Sequence, residues 1–459
     1  MTQSIKKTIV GGATWMSIGA VASKIIGVAY LVIVLSNLSL YQYGVVKLLL
    51  SIPPLLGFLN LPGLELAIIA DMGLEKGRQN MERMRYIYNS YLSVRYVMGF
   101  VGWAVLFFVA PFVASHYNEA IADMVRIISF TFLLSPIRST FLVVFKVALQ
   151  FKLMAGYSFV EEVGKLAVLS VALFVFHLGP TAVIAAYVGA DIVALLSFSL
   201  LFLVTKKNLF QGNFSLTGWK DPLYTLRAHG KWSVLSSYLG MFGQNIRPWV
   251  IKFFLGTEAV GLYGLAVGMY QQTSSVFSVS RVVSPIIPQY LEKKNMIYLL
   301  INSAIKYQLL TMVLSAALMA AVFPILINTF FPSYSPAYLL YILLLPSLIP
   351  LSFTSIFEPT FHALKAQKNL FFASILRLGI LVCLLPITIL LFGLYGIAVE
   401  FIVTRTVYSC NRYLHLRKTL PGYSLQLSDI FSVTETDRVI LRKIRDYFQR
   451  KNPYNRRVL

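Results

Sequence analysis

Long apolar stretches, separated by short polar connections, recur along the whole 459-residue chain. Each stretch reaches the roughly 20 residues that a helix needs to cross the hydrocarbon core of a bilayer. The stretches are continuously apolar, whereas the strands of a membrane β-barrel alternate between apolar and polar positions. We therefore predict an all-α polytopic membrane protein with about twelve transmembrane helices, at 9–35, 44–70, 86–113, 121–147, 156–178, 181–204, 232–255, 262–288, 298–328, 336–361, 369–392 and 393–416.

Composition strengthens this prediction and excludes a soluble globular protein. Hydrophobic residues make up 57% of the chain and charged residues 13%, and the mean hydropathy is +0.72. The net charge of +22 is concentrated in alternate connections, since the intervening loops, such as "HLGP" and "FFPSYSPAY", contain no Lys or Arg. The positive-inside rule then places both termini in the cytoplasm, and the basic balance needs no nucleic-acid partner.

The residue types that enzymes need are scarce. The two cysteines, Cys383 and Cys410, both fall within predicted helices, which argues against a disulfide framework or a cysteine-rich metal site. The chain has no Asp-x-Asp cluster, no His-Glu zinc motif and no glycine-rich phosphate loop. We predict no catalytic residues, no metal site and no cofactor beyond a coupling Na+ or H+.

The two halves of the chain resemble each other, which indicates an internal duplication. "GATWMSIGA" opens the first predicted helix and "HGKWSVLSS" the seventh, while Tyr43-Gly44 and Tyr263-Gly264 open the second and the eighth. Two six-helix lobes of equal orientation typically bind substrate between them and expose the cleft to each side in turn. We predict an N-lobe at 1–204, a cytoplasmic linker at 205–231, a C-lobe at 232–417 and a basic cytoplasmic tail at 418–459.

The tail can form an amphipathic helix that lies on anionic headgroups, because its apolar residues fall on one helical side. The alternative is a solvated basic extension without a specific role.

Basic residues interrupt several predicted helices near their centres, at Lys24, Arg138, Arg247 and Arg281. Each costs at least about 2.5–3.5 kcal/mol in a bilayer unless it is compensated. Either they line a hydrated cleft that binds an anionic substrate, or they pair with buried acids from other helices; we favour the anion-binding cleft. Polar residues at helical spacing are its expected lining, at Ser17, Gln244, Gln271, Ser274 and Ser278.

Three intramembrane acids, Glu161, Glu162 and Asp191, are candidates for binding a coupling proton or sodium ion. Their pattern offers no ground for choosing among them. Lys165 lies four residues after Glu161 and three after Glu162, which predicts a structural ion pair with one of them.

Three stretches carry a family resemblance: "GATWMSIGAVASKIIGVAYLVIVLSNLSLYQYGVVKLLLSI", "LNLPGLELAIIADMGLEKG" and "GTEAVGLYGLAVGMYQQTSSVFSVSRVVSPIIPQYLEKK". The chain resembles the polysaccharide-exporter branch of the multidrug/oligosaccharidyl-lipid/polysaccharide flippase (MOP) superfamily, which includes O-antigen, lipopolysaccharide and capsule repeat-unit flippases. Lys24 in "SKIIG" looks like the basic residue of the related lipid II flippases, but Tyr30 stands where that group has a second base.

The resemblance implies a function and a location. Such proteins move a polyprenyl-diphosphate-linked oligosaccharide from the cytoplasmic to the outer leaflet of the bacterial cytoplasmic (inner) membrane by alternating access. Membrane lipids, a polysaccharide polymerase and other assembly proteins are the expected partners. Three alternatives stay open: a cation-coupled multidrug or metabolite antiporter of the same superfamily, another lipid-linked precursor flippase, and a facilitator-type transporter suggested by the loop "ADMGLEKGR".

Overall fold

The computed structural model describes residues 2–117, 121–210, 231–275, 279–280, 287, 294–364 and 366–425. Within these ranges the secondary structure is helical and contains no strand. The predicted linker falls largely outside them, since 211–230 are not described, and so does most of the predicted tail, from residue 426 onward.

The helices follow the predicted order. Those of the first half are α1 (Thr2–Asn37), α2 (Leu40–Leu55), α3 (Leu64–Gly77), α4 (Met81–Tyr117), α5 (Ala122–Val147), α6 (Phe151–Phe174) and α7 (Pro180–Phe210). Those of the second half are α8 (Lys231–Leu255), α9 (Thr257–Ser275), α10 (Lys294–Phe330), α11 (Pro336–Leu344), α12 (Leu348–Ala363), α13 (Gln367–Phe392) and α14 (Gly396–Thr419).

Six helical segments in the described ranges are individually long and apolar enough to cross a bilayer: Met81–Phe112, Ala122–Val147, Pro180–Phe210, Ile297–Phe330, Pro336–Ala363 and Gln367–Thr419. The prediction of an all-α, multi-pass membrane protein is therefore confirmed. The number of twelve crossings and the cytoplasmic side of the termini stay predictions.

The segment predicted as one helix at 44–70 is interrupted, so that prediction is wrong in its middle. Helix α2 ends at Leu55, a 3₁₀ turn spans Gly57–Asn60, and α3 begins only at Leu64. The prolines that close α2 weaken its last turn, and the chain then passes through positive φ angles at Leu61 (44°) and Gly63 (81°). Non-helical backbone at membrane depth is tolerated where it is buried in protein or lines a cavity.

Two smaller differences concern helix ends. A 3₁₀ turn at Leu345–Ser347, around Pro346, separates α11 from α12 within the segment predicted at 336–361. Helix α7 continues to Phe210, into the range predicted as linker.

Packing separates the helices into two groups. In the first, α6 packs between α1 and α7, and α5 packs on α4 and α7. In the second, α13 packs on α8 and α14, and α12 packs on α10 and α14. Helix α2 crosses from the first group to pack on α8 and α9, so these three helices form the main interface between the groups.

Helices α2 and α9 cross at a symmetric pair of glycines. A Cβ atom on Gly44 would lie 2.0 Å from the carbonyl oxygen of Thr257, and one on Gly261 would lie 2.5 Å from that of Leu40. The reciprocal contact aligns Gly44 with Gly261, and not with Gly264, its counterpart in the sequence repeat. Only glycine permits such a close backbone approach.

The crossing lies at the end of the molecule that is predicted to face outward. Nearby, the hydroxyl of Tyr334 donates to the carbonyl oxygen of Leu38 at 3.1 Å, and the ring of Tyr334 packs edge to face on Tyr43 at 6.0 Å. The two helix groups are therefore joined tightly at this end.

Candidate functional site: a cavity between the two helix groups

A cavity of about 970 Å³ lies between the two groups of helices. This volume is at the upper end of the range of small-molecule sites, about 300–1,000 Å³. The interrupted segment after α2 contributes Asn60, Leu61, Pro62 and Gly63 to its wall. Six basic and three acidic residues also line it: Lys47, Arg95, Arg138, Lys165, Arg247, Arg405, Glu65, Glu161 and Asp191.

Arg247, on α8, is fully engaged with Glu400 on α14. Its Nε and Nη2 atoms donate to the two carboxylate oxygens at 2.9 and 3.0 Å, and Nη1 donates to the carbonyl oxygen of Gly243 at 3.3 Å. Thr404 donates a further hydrogen bond to Glu400 at 2.8 Å. The guanidinium also stacks on Phe401, 4.3 Å from the ring centroid. The pairing alternative thus describes the state of Arg247 in this structure.

Arg138, on α5, is also paired. Its Nη1 atom lies 3.1 Å from Glu161 of α6 and 3.2 Å from Asp191 of α7. Lys165 pairs with the neighbouring Glu162 at 2.9 Å, as the helical spacing predicts. All of these groups except Glu162 line the cavity.

Three cations of the cavity wall have no carboxylate within 4.0 Å among the described residues: Lys47, Arg95 and Arg405. Lys47, on α2, lies over the ring of Tyr43 at 5.0 Å. Arg95, on α4, donates to the carbonyl oxygen of Asn60 and to the hydroxyls of Ser135 and Ser139, at 3.0 and 3.2 Å.

Arg405, on α14, donates to the hydroxyl of Tyr270 at 2.6 Å and lies over the rings of Tyr270 and Phe401. Its contacts are therefore to uncharged groups, like those of Lys47 and Arg95. The sequence shows all three bases within predicted helices, but it does not reveal which bases acquire a carboxylate from another helix. That choice depends on the packing.

Lys24, the most conspicuous charge in the sequence, does not line this cavity. Its Nζ atom donates to Ser275 of α9 at 3.1 Å, which bridges the two helix groups. Part of the glycine and serine stripe on α1 serves helix packing, since a Cβ on Gly19 would lie 3.0 Å from Cβ of Ala155 on α6.

The predicted polar lining is present in part. Gln244, Gln271 and Ser274 line the cavity. The side chain of Ser17, and all of Ser278 and Arg281, lie outside the part of the chain that the structure describes. Their predicted roles stay predictions.

Two groups of membrane helices around a central polar cavity are the arrangement of alternating-access transporters. The chain belongs to the family described as Polysaccharide biosynthesis protein, whose model matches residues 9–291. Teichuronic acid biosynthesis protein TuaB of Bacillus subtilis (strain 168) is 24% identical over 334 residues, which cover 71% of this chain. The match spans 62% of the length of TuaB, less than two thirds of that relative.

Solved structures agree on the fold. An inward-facing multidrug resistance MATE transporter of the MOP superfamily superimposes with a TM-score of 0.70 at 13% identity, over 87% of this chain and 95% of that one. A MOP-superfamily transporter from Pyrococcus furiosus Vc1 (DSM3638), whose binding pocket is described as having reverse polarity, gives 0.67 at 14% identity, over 91% and 96%. The chain therefore has the fold of MOP-superfamily transporters, and together with the family match this confirms the resemblance found in the sequence.

Proposed function

We propose that this protein is a flippase that carries a polyprenyl-diphosphate-linked oligosaccharide, the repeat unit of a surface polysaccharide, across the bacterial cytoplasmic membrane. The sugar and diphosphate enter the cavity between the two helix groups, and the polyprenyl tail stays in lipid. The family description and the name of TuaB, a teichuronic acid biosynthesis protein, support this class of substrate. A polysaccharide polymerase and other assembly proteins are the partners we propose.

The excess of positive charge on the cavity wall carries the proposal. Bases outnumber acids there by six to three, and Lys47, Arg95 and Arg405 have no carboxylate within 4.0 Å in the described part of the chain. Lys47 and Arg95 belong to the first helix group and Arg405 to the second, so both groups contribute such cations to the cavity wall. Guanidinium groups suit phosphate oxygens because they donate two parallel hydrogen bonds.

The geometry also changes which residues we assign to the substrate. Arg247 already makes two hydrogen bonds to Glu400, and Arg138 is held between two carboxylates. Both can contribute to the field of the cavity, whereas Lys47 and Arg405 can turn to an anion without breaking an ion pair. We therefore propose Lys47 and Arg405 as the main diphosphate ligands, with Arg95 as a further one.

The tight joint at the predicted outer end supports an inward-facing state. The crossing of Gly44 and Gly261 and the hydrogen bond from Tyr334 to Leu38 all lie at that end. Alternating access then requires these contacts to separate when the cavity opens outward.

The principal rival is an antiporter of cationic drugs, which needs uncompensated acids at the substrate site. The wall of this cavity has the opposite balance, which favours an anionic substrate. Another lipid-linked precursor would use the same cations, and only the identity of the accumulated lipid distinguishes it from a surface-polysaccharide unit.

A deletion strain tests the proposal. Loss of the gene should cause lipid-linked repeat units to accumulate in the cytoplasmic leaflet and remove the surface glycan, and the wild-type gene should restore display. Lys47→Gln and Arg405→Gln should each lower export at least tenfold at equal protein level. Arg126→Gln is the matched control, since Arg126 lies outside the cavity lining and forms an exposed pair with Asp123.

Normal glycan display in the deletion strain would refute the flippase proposal. Full complementation by both cavity variants would refute the assignment of Lys47 and Arg405. Export of cationic drugs driven by a cation gradient, with normal glycan display, would favour the antiporter.

A further inference from the structure

Two carboxylates share a single guanidinium nitrogen on the cavity wall. Glu161 and Asp191 lie 3.1 and 3.2 Å from Nη1 of Arg138. The other ion pairs around the cavity join one acid to one base, as in Lys165 with Glu162 and Arg247 with Glu400. The cluster of Arg138, Glu161 and Asp191 therefore carries one negative charge in excess.

A buried hydroxyl points to the same place. Tyr157 lies one helical turn before Glu161 on α6 and is 1% exposed. Its hydroxyl is buried and has no hydrogen-bond partner among the described residues. Residues four apart lie on the same face of a helix, so Tyr157 is on the side of α6 that carries Glu161, and its hydroxyl is coupled electrostatically to Asp191, Arg138 and Glu161. Buried hydroxyls without a partner are rare, because each costs about 1–3 kcal/mol.

We propose that Glu161, Asp191 and the hydroxyl of Tyr157 bind one monovalent cation, a proton or a sodium ion. One positive charge cancels the excess negative charge of the cluster. The three groups supply hard oxygen atoms, which suit sodium, and either carboxylate can take a proton. The two carboxylates line the cavity, so the cation reaches them by the same route as the substrate.

The neighbouring charges explain why Glu161 and Asp191, and not Glu162, are assigned to the cation site. Glu161 and Asp191 face Arg138 of α5, and Glu162 and Lys165 of α6 also act on Glu161. Lys165 is in turn approached by Lys47 of α2 and Tyr187 of α7. Lys165 also acts electrostatically on Asp191, but its hydrogen bonds, at 2.9 and 3.0 Å, go to Glu162. Among the described residues, the base within 4.0 Å of Glu161 and Asp191 is Arg138.

The site also regulates the proposed transport function, on which this step depends. Cation binding removes one negative charge from the cavity wall and frees Arg138 from one of its two carboxylates. Both effects strengthen the attraction of the wall for an anion. By reciprocity, a bound anion raises the affinity of the site for the cation.

Cation binding is measured on the purified full-length protein without a glycan substrate. The midpoint of thermal unfolding is recorded against Na+ concentration, with K+ keeping the ionic strength constant, and separately against pH. We expect a saturable rise in at least one series: a response to Na+ at fixed pH identifies sodium, and a response to pH alone identifies a proton. Glu161→Gln and Asp191→Asn should weaken the response at least tenfold or abolish it.

Each of these variants leaves Arg138 with one carboxylate and makes the cluster neutral. Glu162→Gln is the matched control and should keep the cation response. Tyr157→Phe retains every charge and should shift the half-saturating Na+ concentration or the midpoint pH severalfold, which keeps the test decisive if a carboxylate variant does not fold.

The proposal is overturned if the wild-type protein responds in neither series, or if the two carboxylate variants respond like the wild type. It is also overturned if Glu162→Gln loses the response equally, or if Tyr157→Phe, tested alone, leaves it unchanged. Since no glycan is present, these outcomes are independent of the deletion-strain experiment, and either proposal can fail while the other stands.

Discussion

Replacing Glu400 by glutamine should destabilise the protein strongly, because it leaves Arg247 buried beside an uncharged partner. The side chains of Arg247 and Glu400 are 8% and 0% exposed, and two hydrogen bonds of 2.9 and 3.0 Å join them. Removing one partner of a buried ion pair costs about 3–5 kcal/mol. Glutamine keeps one acceptor for the guanidinium, so we expect about 3 kcal/mol, a change of roughly a hundredfold in the folded-to-unfolded ratio.

The informative comparison is the double variant Arg247→Met with Glu400→Met. Replacing a buried ion pair by apolar residues of similar volume is often neutral or stabilising, so the double variant should recover at least half of the loss seen with Glu400→Gln. Stability is measured as the fraction of protein that stays monodisperse after heating in detergent. Export is measured in the deletion strain, and we expect the double variant to retain at least half of it.

Two outcomes would refute this reasoning. A double variant as unstable as the sum of the two single methionine variants would show that Arg247 and Glu400 do not stabilise the protein as a pair. A double variant that folds normally but exports no glycan would instead make Arg247 a substrate ligand, in agreement with the prediction from sequence.

Two further predictions follow from the packing. Gly44→Ala should destabilise the α2–α9 crossing by about 1–3 kcal/mol, because the new Cβ would lie 2.0 Å from the carbonyl oxygen of Thr257. The fraction of protein that stays monodisperse after heating checks this. Gly27→Ala is the control, since a Cβ there meets no atom within 4 Å. Lys146→Gln breaks the ion pair with Glu65 but should change stability by no more than about 1 kcal/mol, because these side chains are 31% and 29% exposed. A loss of stability as large as that of Glu400→Gln would show that the cost of breaking an ion pair here does not depend on its burial.

Ion pairing shows where sequence reasoning succeeds. The pair of Lys165 and Glu162 was predictable, because residues three apart on one helix are neighbours whatever the surrounding fold. The pair of Arg247 and Glu400 joins α8 to α14 and was not predictable, because nothing local in either helix identifies the other as its neighbour. The same limit explains why Lys47 and Arg405 could not be assigned to the site from the sequence.

The interruption after α2 shows a second limit. Its prolines and glycine are visible in the sequence, yet the apolar run continues through them, so hydrophobicity alone predicts one helix. Prolines are also tolerated inside membrane helices, as Pro248 is in α8. Whether a proline bends a helix or ends it depends on what satisfies the freed backbone groups.

The sequence by itself determined the class of the protein, its helical architecture and its family resemblance. These depend on the length and order of the apolar stretches, because the bilayer imposes its length and hydrogen-bonding requirements on each spanning segment separately. Tertiary structure alone decided the charge distribution of the cavity: which cations are paired, that Lys24 bridges to Ser275 instead of lining the site, and that two carboxylates share Arg138. The physical reason is that a buried charge is compensated by whatever packs within about 4 Å of it, and that neighbour is set by helix packing.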